Sequence, residues 1–425
     1  MQNFVFVLDT NKQPLSPCHQ AVARKLLRNG KAAVWKTYPF TIILNRAVES
    51  DPEPVALKVD PGSKTTGLAL VQDGKIIFAA ELTHRGAAIK DALQSRKAIR
   101  RGRRNRNTRY RKPGFEANQD ASSTRSEGWL APSLKSRVDN LQSWFTKLFK
   151  ICPLALISME LVRFDMQIMQ NAEVSGIEYQ QGALQGYEVR EYLLEKFGRK
   201  CSYCGAKDLA LEVEHITPKS RGGSNRVSNL CLACHDCNTR KGTMTATEFG
   251  HPEVQALAKK SLKDAAAVNS VRWAVFNMFK ATSLPVEVGT GGRTKFNRTK
   301  QDYPKAHWID AACVGKSGAT VKLYPKHQPL LIKATGRGTR QMCRMDKYGF
   351  PRTSAKAAKR VHGFQTGDLV KAIVPSGKQA GTHVGRVAVR TTGRFRVGSI
   401  DGIAYRHCQL IQRVDGYDYQ YIPAQ

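Results

Sequence analysis

Two Cys-x-x-Cys pairs, Cys201/Cys204 and Cys234/Cys237, have the spacing that closes a tetrahedral zinc site. The 29 residues between them exceed what a plain zinc ribbon needs, and they include an acid and an imidazole side by side, Glu214 and His215. A carboxylate can hold a cation, and an imidazole can take a proton from water. Three further acids stand far apart: Asp60 closes VALKVD, Glu160 closes LALISME, and Asp310 follows His307 by three residues in AHWIDAACV. Taken singly, each has an ordinary explanation as a turn cap, a strand-end carboxylate or an exposed helix position. Cys231 is a third thiol in the second cysteine run. The register with Asn238 favours Cys234 and Cys237 as ligands and leaves Cys231 as a small buried hydrophobe. CLACH also spells the attachment pattern of c-type haem, but no export signal accompanies it.

The elements that must position these residues follow from the apolar pattern. Residues 52–82 read as an antiparallel meander, with strands at 55–60, 66–72 and 75–81 and turns at Pro61-Gly62-Ser63 and Asp73-Gly74. Leu134, Val138, Leu141, Phe145 and Leu148 recur at helical spacing, and PLALISMEL reads as a fully buried strand of the kind parallel pairing produces. On a helix, His307 and Asp310 share a face. Meander with Asp, buried strand with Glu and helix with Asp follow the order of a ribonuclease H-like nuclease, an α/β fold. Its carboxylates hold two Mg²⁺ about 4 Å apart, one activating water and one stabilising the leaving oxygen. His307 would assist proton transfer or orient the water. Inside the zinc loop, LEVEHITP can form a strand, GGSNRVSNL a loop ending near Asn229, and CHDCNTRKG the start of a helix carrying Asn238. That is the ββα-metal layout of HNH endonucleases. There Glu214 and Asn238 would hold one Mg²⁺, His215 would deprotonate the attacking water, and structural Zn²⁺ would clamp hairpin to helix.

The rest of the chain suits a polyanionic partner. Its 425 residues, 41% of them hydrophobic, are enough for two or three domains with real cores, and 68 basic against 34 acidic residues give a net charge of +34. Ten of the seventeen residues 96–112 are Arg or Lys. Arg96, Arg100, Arg101, Arg103, Arg104, Arg106, Arg109 and Arg111 offer planar, bidentate groups for gripping phosphates, on a run compatible with a helix apart from Gly102. No apolar stretch approaches the roughly 20 residues that span a bilayer, and the N-terminus carries no signal-peptide pattern, so a non-secreted protein in a reducing cytoplasm is expected. Alternating strands punctuated by glycine over 363–413 resemble a small SH3-like barrel.

Together these parts resemble the IscB family, transposon-associated RNA-guided nucleases of bacteria and archaea related to the type II CRISPR effectors. The likeness rests on VALKVDPGSKTTGLALV, LALISMEL and AHWIDAACV as three pieces of a RuvC-like nuclease, the arginine-rich bridge after the first, and the HNH insertion between the second and third. GGRTKFNR, ahead of the third piece, also looks like the family. LDTNKQPLSPCHQ resembles the N-terminal domain named for its Pro-Leu-Met-Pro motif, with Ser16 where Met is usual. The resemblance implies a multidomain α/β chain. Its parts are an N-terminal domain at 1–51, RuvC pieces at 52–92, 116–175 and 276–320, and a bridge helix at 93–115. The HNH domain with its linkers takes 176–275, and a β-rich region that meets RNA and the DNA flanking motif takes 321–425. Segments near 172–186, with Gly176, Gly182 and Gly186, and near 276–290 are candidate hinges. It further implies one protein per omega RNA, made of guide and scaffold, and double-stranded target DNA bearing a short flanking motif. HNH would cut the guide-paired strand and RuvC the displaced strand. Two other readings remain at this level: a guide-independent HNH/RuvC endonuclease and a non-catalytic, zinc-containing RNA-binding protein.

Overall fold

The computed structural model describes residues 3–49, 51–105, 129–161, 190, 193–194, 196–207, 209–259, 265–324, 327–336, 343, 345–354 and 358–421. Arg106, Arg109, Arg111 and the 172–186 linker therefore lie outside the described residues. Among those described, the chain begins with β1 (Val5–Leu8), β2 (Pro14–Cys18), helix α1 (Gln20–Arg28), β3 (Ala32–Lys36) and β4 (Thr41–Leu44), which form a sheet of order β2-β1-β4-β3. Asn3 ties this unit to the next: its amide donates to the Ala79 carbonyl at 3.1 Å and its Oδ1 accepts from the Ala79 N–H at 2.7 Å.

The meander follows as expected, β5 (Val55–Asp60), β6 (Thr65–Gln72) and β7 (Lys75–Thr83), paired antiparallel and almost wholly buried. Helix α2 (Gly86–Asn105) carries Arg96, Arg100, Arg101, Arg103 and Arg104, so the arginine run begins inside a helix that starts earlier than the expected 93. Charge repulsion along it is relieved in part at Arg103, which donates to the Gly349 carbonyl at 2.7 Å and lies over the Phe350 ring. Helix α3 (Pro132–Phe149) turns its apolar stripe inward: Leu141 and Leu148 are buried, and Leu134, Val138 and Phe145 pack against the same core. Strand β8 (Leu154–Glu160) pairs parallel to β5, as its unbroken apolar run predicts.

The zinc loop supplies the hairpin β9 (Leu211–His215) and β10 (Leu230–Cys234), then α4 (His235–Lys241) and α5 (Pro252–Lys259), around its own apolar cluster. The chain then returns to the first core through α6 (Ala265–Lys280), whose Val271, Val275 and Phe279 join the cluster under α3. β11 (Val286–Gly289), α7 (Gly291–Lys300), α8 (His307–Ala312) and β12 (Leu330–Ala334) complete that half. The region beyond holds β13 (Arg360–Val361), β14 (Phe364–Gln365), β15 (Leu369–Val374), β16 (Gly381–Ala388), β17 (Arg394–Val397), β18 (Ile400–Ala404) and β19 (Cys408–Gln412), of which β15 to β19 form a five-stranded sheet of order β18-β17-β16-β15-β19. The last strand, β20 (Tyr417–Tyr421), leaves that sheet and pairs with β12, giving a seven-stranded central sheet of order β11-β8-β5-β6-β7-β12-β20.

Two expected boundaries move. β12 and β20 extend the central sheet, so that sheet reaches well past 320. α6 begins at Ala265 but packs on the central core, so the HNH-bearing excursion ends before 275 and half of the supposed 276–290 linker is helix or strand. No described helix is long and apolar enough to cross a membrane.

Two enclosed imidazoles make this fold acid-sensitive. Burial, aided by the Arg137 charge, lowers His84 from its ordinary 6.5 to about 4. Burial does the same to His327, which stacks on Trp308 of α8 and reaches Asn3 Oδ1 at 2.8 Å. The unfolded chain takes up these protons as pH falls below about 6.5, while the folded chain resists until about 4. Stability is therefore full above that window and declines through it, by on the order of 1–3 kcal/mol per histidine. Thermal melts at pH 7 and pH 5 should differ, and His327→Gln should narrow the difference; equal shifts in both proteins would refute the assignment.

Candidate functional site

The three scattered acids meet at one cavity. Asp60 comes from the end of β5 and Glu160 from the end of the neighbouring β8. Asp310, with His307, comes from α8, and all four line a cavity of about 610 Å³. The approach of α8 depends on a missing side chain, because a Cβ at Gly67 of β6 would lie 1.8 Å from the His307 carbonyl oxygen. Glu81 of the adjoining β7 accepts the His307 backbone N–H at 3.1 Å and fixes the start of the helix.

Arginines that the sequence reading passed over neutralise two of the acids. Glu160 Oε1 accepts from the Arg272 guanidinium at 3.0 Å, both side chains being buried, and Asp310 Oδ1 lies 2.9 Å from Arg298. Burial pushes the Asp310 carboxyl up, and the charges of Arg298, Lys305, His307 and Arg199 oppose that rise. Lys64, Arg199, Lys207, Arg272, Lys295, Arg298 and Lys305 also line the cavity, seven cations against three carboxylates, so the pocket favours an anion such as a phosphodiester. Arg298 lies within GGRTKFNR, which the structure folds as α7 over the cavity. The three acids bring hard oxygen donors, the type Mg²⁺ takes, to one cavity, but with Glu160 and Asp310 turned to arginines they do not close on a common point as the cysteine sulfurs do, the four cysteines being the one metal-binding group among the described residues.

The hairpin module differs from expectation at one point. Glu214 and His215 are adjacent in sequence, and strand alternation therefore sends them to opposite faces. His215 is half-buried, its Nε2 2.9 Å from Asn225 Oδ1. Asn229 clamps the connecting loop, accepting the Thr217 N–H at 2.9 Å and donating to the carbonyls of Thr217 and Ser224, each at 2.9 Å. Glu214 turns inward instead. It is 6% exposed, accepts from buried Lys241 at 2.7 Å and from Tyr203 at 2.8 Å, and touches Cys231. Asn238 sits one helical turn before Lys241 and so meets Glu212, to which it donates at 2.6 Å. Asn238 and then His235 hold Glu212 below the ordinary carboxylate range. The expected Glu214–Asn238 pair is thus replaced by Glu212–Asn238 and Glu214–Lys241, and as arranged these residues do not fit a cation shared by Glu214 and Asn238.

The cysteines do fit their metal. The sulfurs of Cys201, Cys204, Cys234 and Cys237 all lie within 4.8 Å of one another, and Cys204 and Cys234 are 3.8 Å apart. Zinc–sulfur bonds of about 2.3 Å give a tetrahedron with edges of about 3.8 Å. Cys231, as expected, is buried and outside the cluster. The remaining cysteines belong to no such group among the described residues.

Two family models match the chain: one described as RRXRR protein, over residues 5–182, and one described as HNH endonuclease, over residues 201–244. No curated protein matches. Among solved structures, the chain is similar to Streptococcus thermophilus Cas9 in complex with the GGAA PAM, at 13% identity and a TM-score of 0.22 over 60% of this chain and 32% of that one. It is also similar to the type II-C Cas9 enzyme from Actinomyces naeslundii, at 13% identity and a TM-score of 0.21 over 64% of this chain and 60% of that one. The chain thus spans about a third of the length of the first and three fifths of the second. An RRXRR segment carrying the arginine-rich helix and an HNH endonuclease segment carrying the four-cysteine cluster together support an IscB/Cas9-like nuclease.

Proposed function

We propose that the chain is an RNA-guided double-stranded DNA endonuclease of the IscB type. The observation that carries this reading is the cationic cavity shared by Asp60, Glu160 and Asp310, in a chain that also holds a separate HNH module. The central sheet is read as the RNase H-like RuvC core built mainly from 52–92, 116–175 and 276–320 and extended by β12 and β20, and the five-stranded unit beyond it as an SH3-like barrel that meets RNA and the DNA flanking motif. Two Mg²⁺ held by Asp60, Glu160 and Asp310 would supply an activated water and stabilisation of the leaving oxygen. His307, at the start of α8 and on the cavity wall, is placed to take or give the proton that such hydrolysis moves. Arg272 and Arg298 hold the carboxylates in place and present positive charge to the phosphate. In the HNH module His215 is the general base, oriented by Asn225, and zinc holds the hairpin to α4.

The RuvC site would cut the displaced strand and the HNH site the strand paired to the guide. Arg96, Arg100, Arg101, Arg103 and Arg104 of α2, with the arginines that continue the run, would bind the backbone of an omega RNA whose pairing reads the target, one protein to each RNA. Sequencing the RNA that accompanies the protein isolated from its host tests the guide: one discrete long RNA is expected. Site-specific cutting by a preparation freed of RNA would instead favour a guide-independent nuclease. His215→Ala should slow cutting of the guide-paired strand by about a hundredfold or more and leave a nick in the displaced strand. Unchanged cutting of the paired strand in an end-labelled assay would remove His215 from this role.

A further inference from the structure

Beneath the cavity carboxylates lies a second polar row that strand cleavage does not use. β5, β8 and β11 are neighbours in parallel register, with Lys58 opposite Ser158 and Ser158 opposite Glu287. Each of the first two stands two residues before an acid, Lys58 before Asp60 and Ser158 before Glu160, so the polar row and the carboxylates share one face of the sheet, one rung apart. Lys58 and Ser158 are 1% and 0% exposed. Burying a lysine is costly unless its charge is matched, and the partly buried Glu287 beside it supplies the opposite charge. Glu287 accepts from Ser158 at 2.7 Å and from the Ser317 hydroxyl, and Lys58 donates to that same hydroxyl at 2.6 Å.

The row also grips the turn that follows α8. Lys58 donates to the Val314 carbonyl at 2.9 Å, and Glu287 accepts the backbone N–H groups of Lys316 and Ser317 at 2.7 and 3.1 Å. Asn297 of α7 holds the carbonyls of Cys313 and Gly315 at 2.9 and 2.8 Å. Gly315 has φ +76, and a Cβ there would strike the Glu287 carboxylate at 2.5 Å, so the turn can lie this close only as glycine. α8 spans six residues and cannot hold its own position; the site of Asp310 is set by what fastens the turn behind it.

We infer that Lys58, Ser158, Glu287 and Ser317 form a positioning latch that fixes Asp60 and Glu160 on their strands relative to Asp310 on α8, and thereby sets the affinity of the cavity for divalent cations. The inference rests on the cation-binding reading of the cavity. Apolar side chains would fill the same space without such a desolvation cost, but they would not tie two strands and a turn into one register. These are positioning residues, since none of the four lines the cavity.

The test titrates Mn²⁺ into the full chain, following the free-ion electron paramagnetic resonance signal, and records a thermal melt of each variant. Asp60→Asn should remove the cavity's share of Mn²⁺ binding. Glu287→Gln should weaken that Asp60-dependent binding by about 10–100-fold, the usual cost of losing a group behind a metal ligand. Ser158→Ala should weaken it in the same direction, and it decides the matter should Glu287→Gln not fold. Removing both charges in Lys58→Met/Glu287→Leu should bring the melt back toward wild type and leave Mn²⁺ affinity low, which separates positioning from stability. Wild-type Mn²⁺ affinity in folded Glu287→Gln and Ser158→Ala overturns the latch alone. A wild-type protein with no Asp60-dependent binding overturns the cation reading of the cavity, and the latch with it.

Discussion

An Asp60→Ala protein is expected to lose displaced-strand cutting by about a thousandfold or more while still cutting the guide-paired strand, because the electrostatic help at stake is several kcal/mol and each 1.4 kcal/mol is tenfold in rate. The size of the effect follows from the cavity's charge. With Asp60 gone, the two carboxylates left there are Glu160, held by Arg272, and Asp310, held by Arg298, amid seven lysines and arginines. Too little negative charge then remains to keep a pair of divalent cations. Asp60→Asn should behave almost alike, since it keeps the shape and loses the charge. Strand-specific end labels report the two cuts separately. Wild-type cutting of both strands by Asp60→Ala would end the RuvC assignment, whereas loss of both cuts would point to a folding defect and is checked by the melt.

Removing the metal from the cysteine cluster should have the opposite polarity. Structural zinc contributes about 10–16 kcal/mol in small zinc-dependent domains, more than a small apolar core of this kind supplies alone. The apolar cluster of the HNH segment is separate from the central core and includes Cys201, Cys234 and Cys237 themselves. Cys237→Ser, or a strong chelator, should therefore unfold the hairpin and α4, expose 201–244 to proteolysis and abolish cutting of the guide-paired strand. The central sheet, with its own core under α3 and α6, should persist, and the displaced strand should still be nicked once Mg²⁺ is restored. One zinc per chain by elemental analysis, lost in Cys237→Ser, completes the test. A zinc-free protein that still cuts the paired strand would show the cluster to be dispensable.

Much of this was legible in the sequence because the signals are local. The meander has alternation and two turns, β8 has an unbroken apolar run, and the cysteine pairs have spacing; each feature lies within about ten residues, where periodicity and turn chemistry operate. Asp60 and Glu160 at strand ends, and His307 and Asp310 three apart on one helix face, followed from the order of these elements, and all four line one cavity. What stayed hidden depends on contacts between distant segments. Arg272 and Arg298 sit on helices whose sequences give no reason to aim them at Glu160 and Asp310. β12 and β20 carry the strand pattern, but nothing in them states that they pair with each other and extend the β7 edge. Glu214, expected at the metal from its place in the HNH motif, is turned by strand alternation to the face away from His215, where Lys241 and Tyr203 hold it. Glu212 could have been found by pairing β9 with α4 at the right level: it is the acid on the Asn238 side of the hairpin.

The order of strands in the central sheet differs from their order of synthesis, with β11 at one edge beside β8 and β20 at the other beside β12. On the ribosome, the meander emerges early, behind only the β1–β4 unit, and must wait for more than half of the polypeptide before the turn behind α8 arrives to seat Asp310. A nascent chain stalled before that point has Asp60 on its strand but lacks the late residues that complete the cavity. Any hydrolysis at this cavity would thereby be withheld from unfinished protein by topology alone, whereas the HNH module, whose matched segment ends at residue 244, would not be.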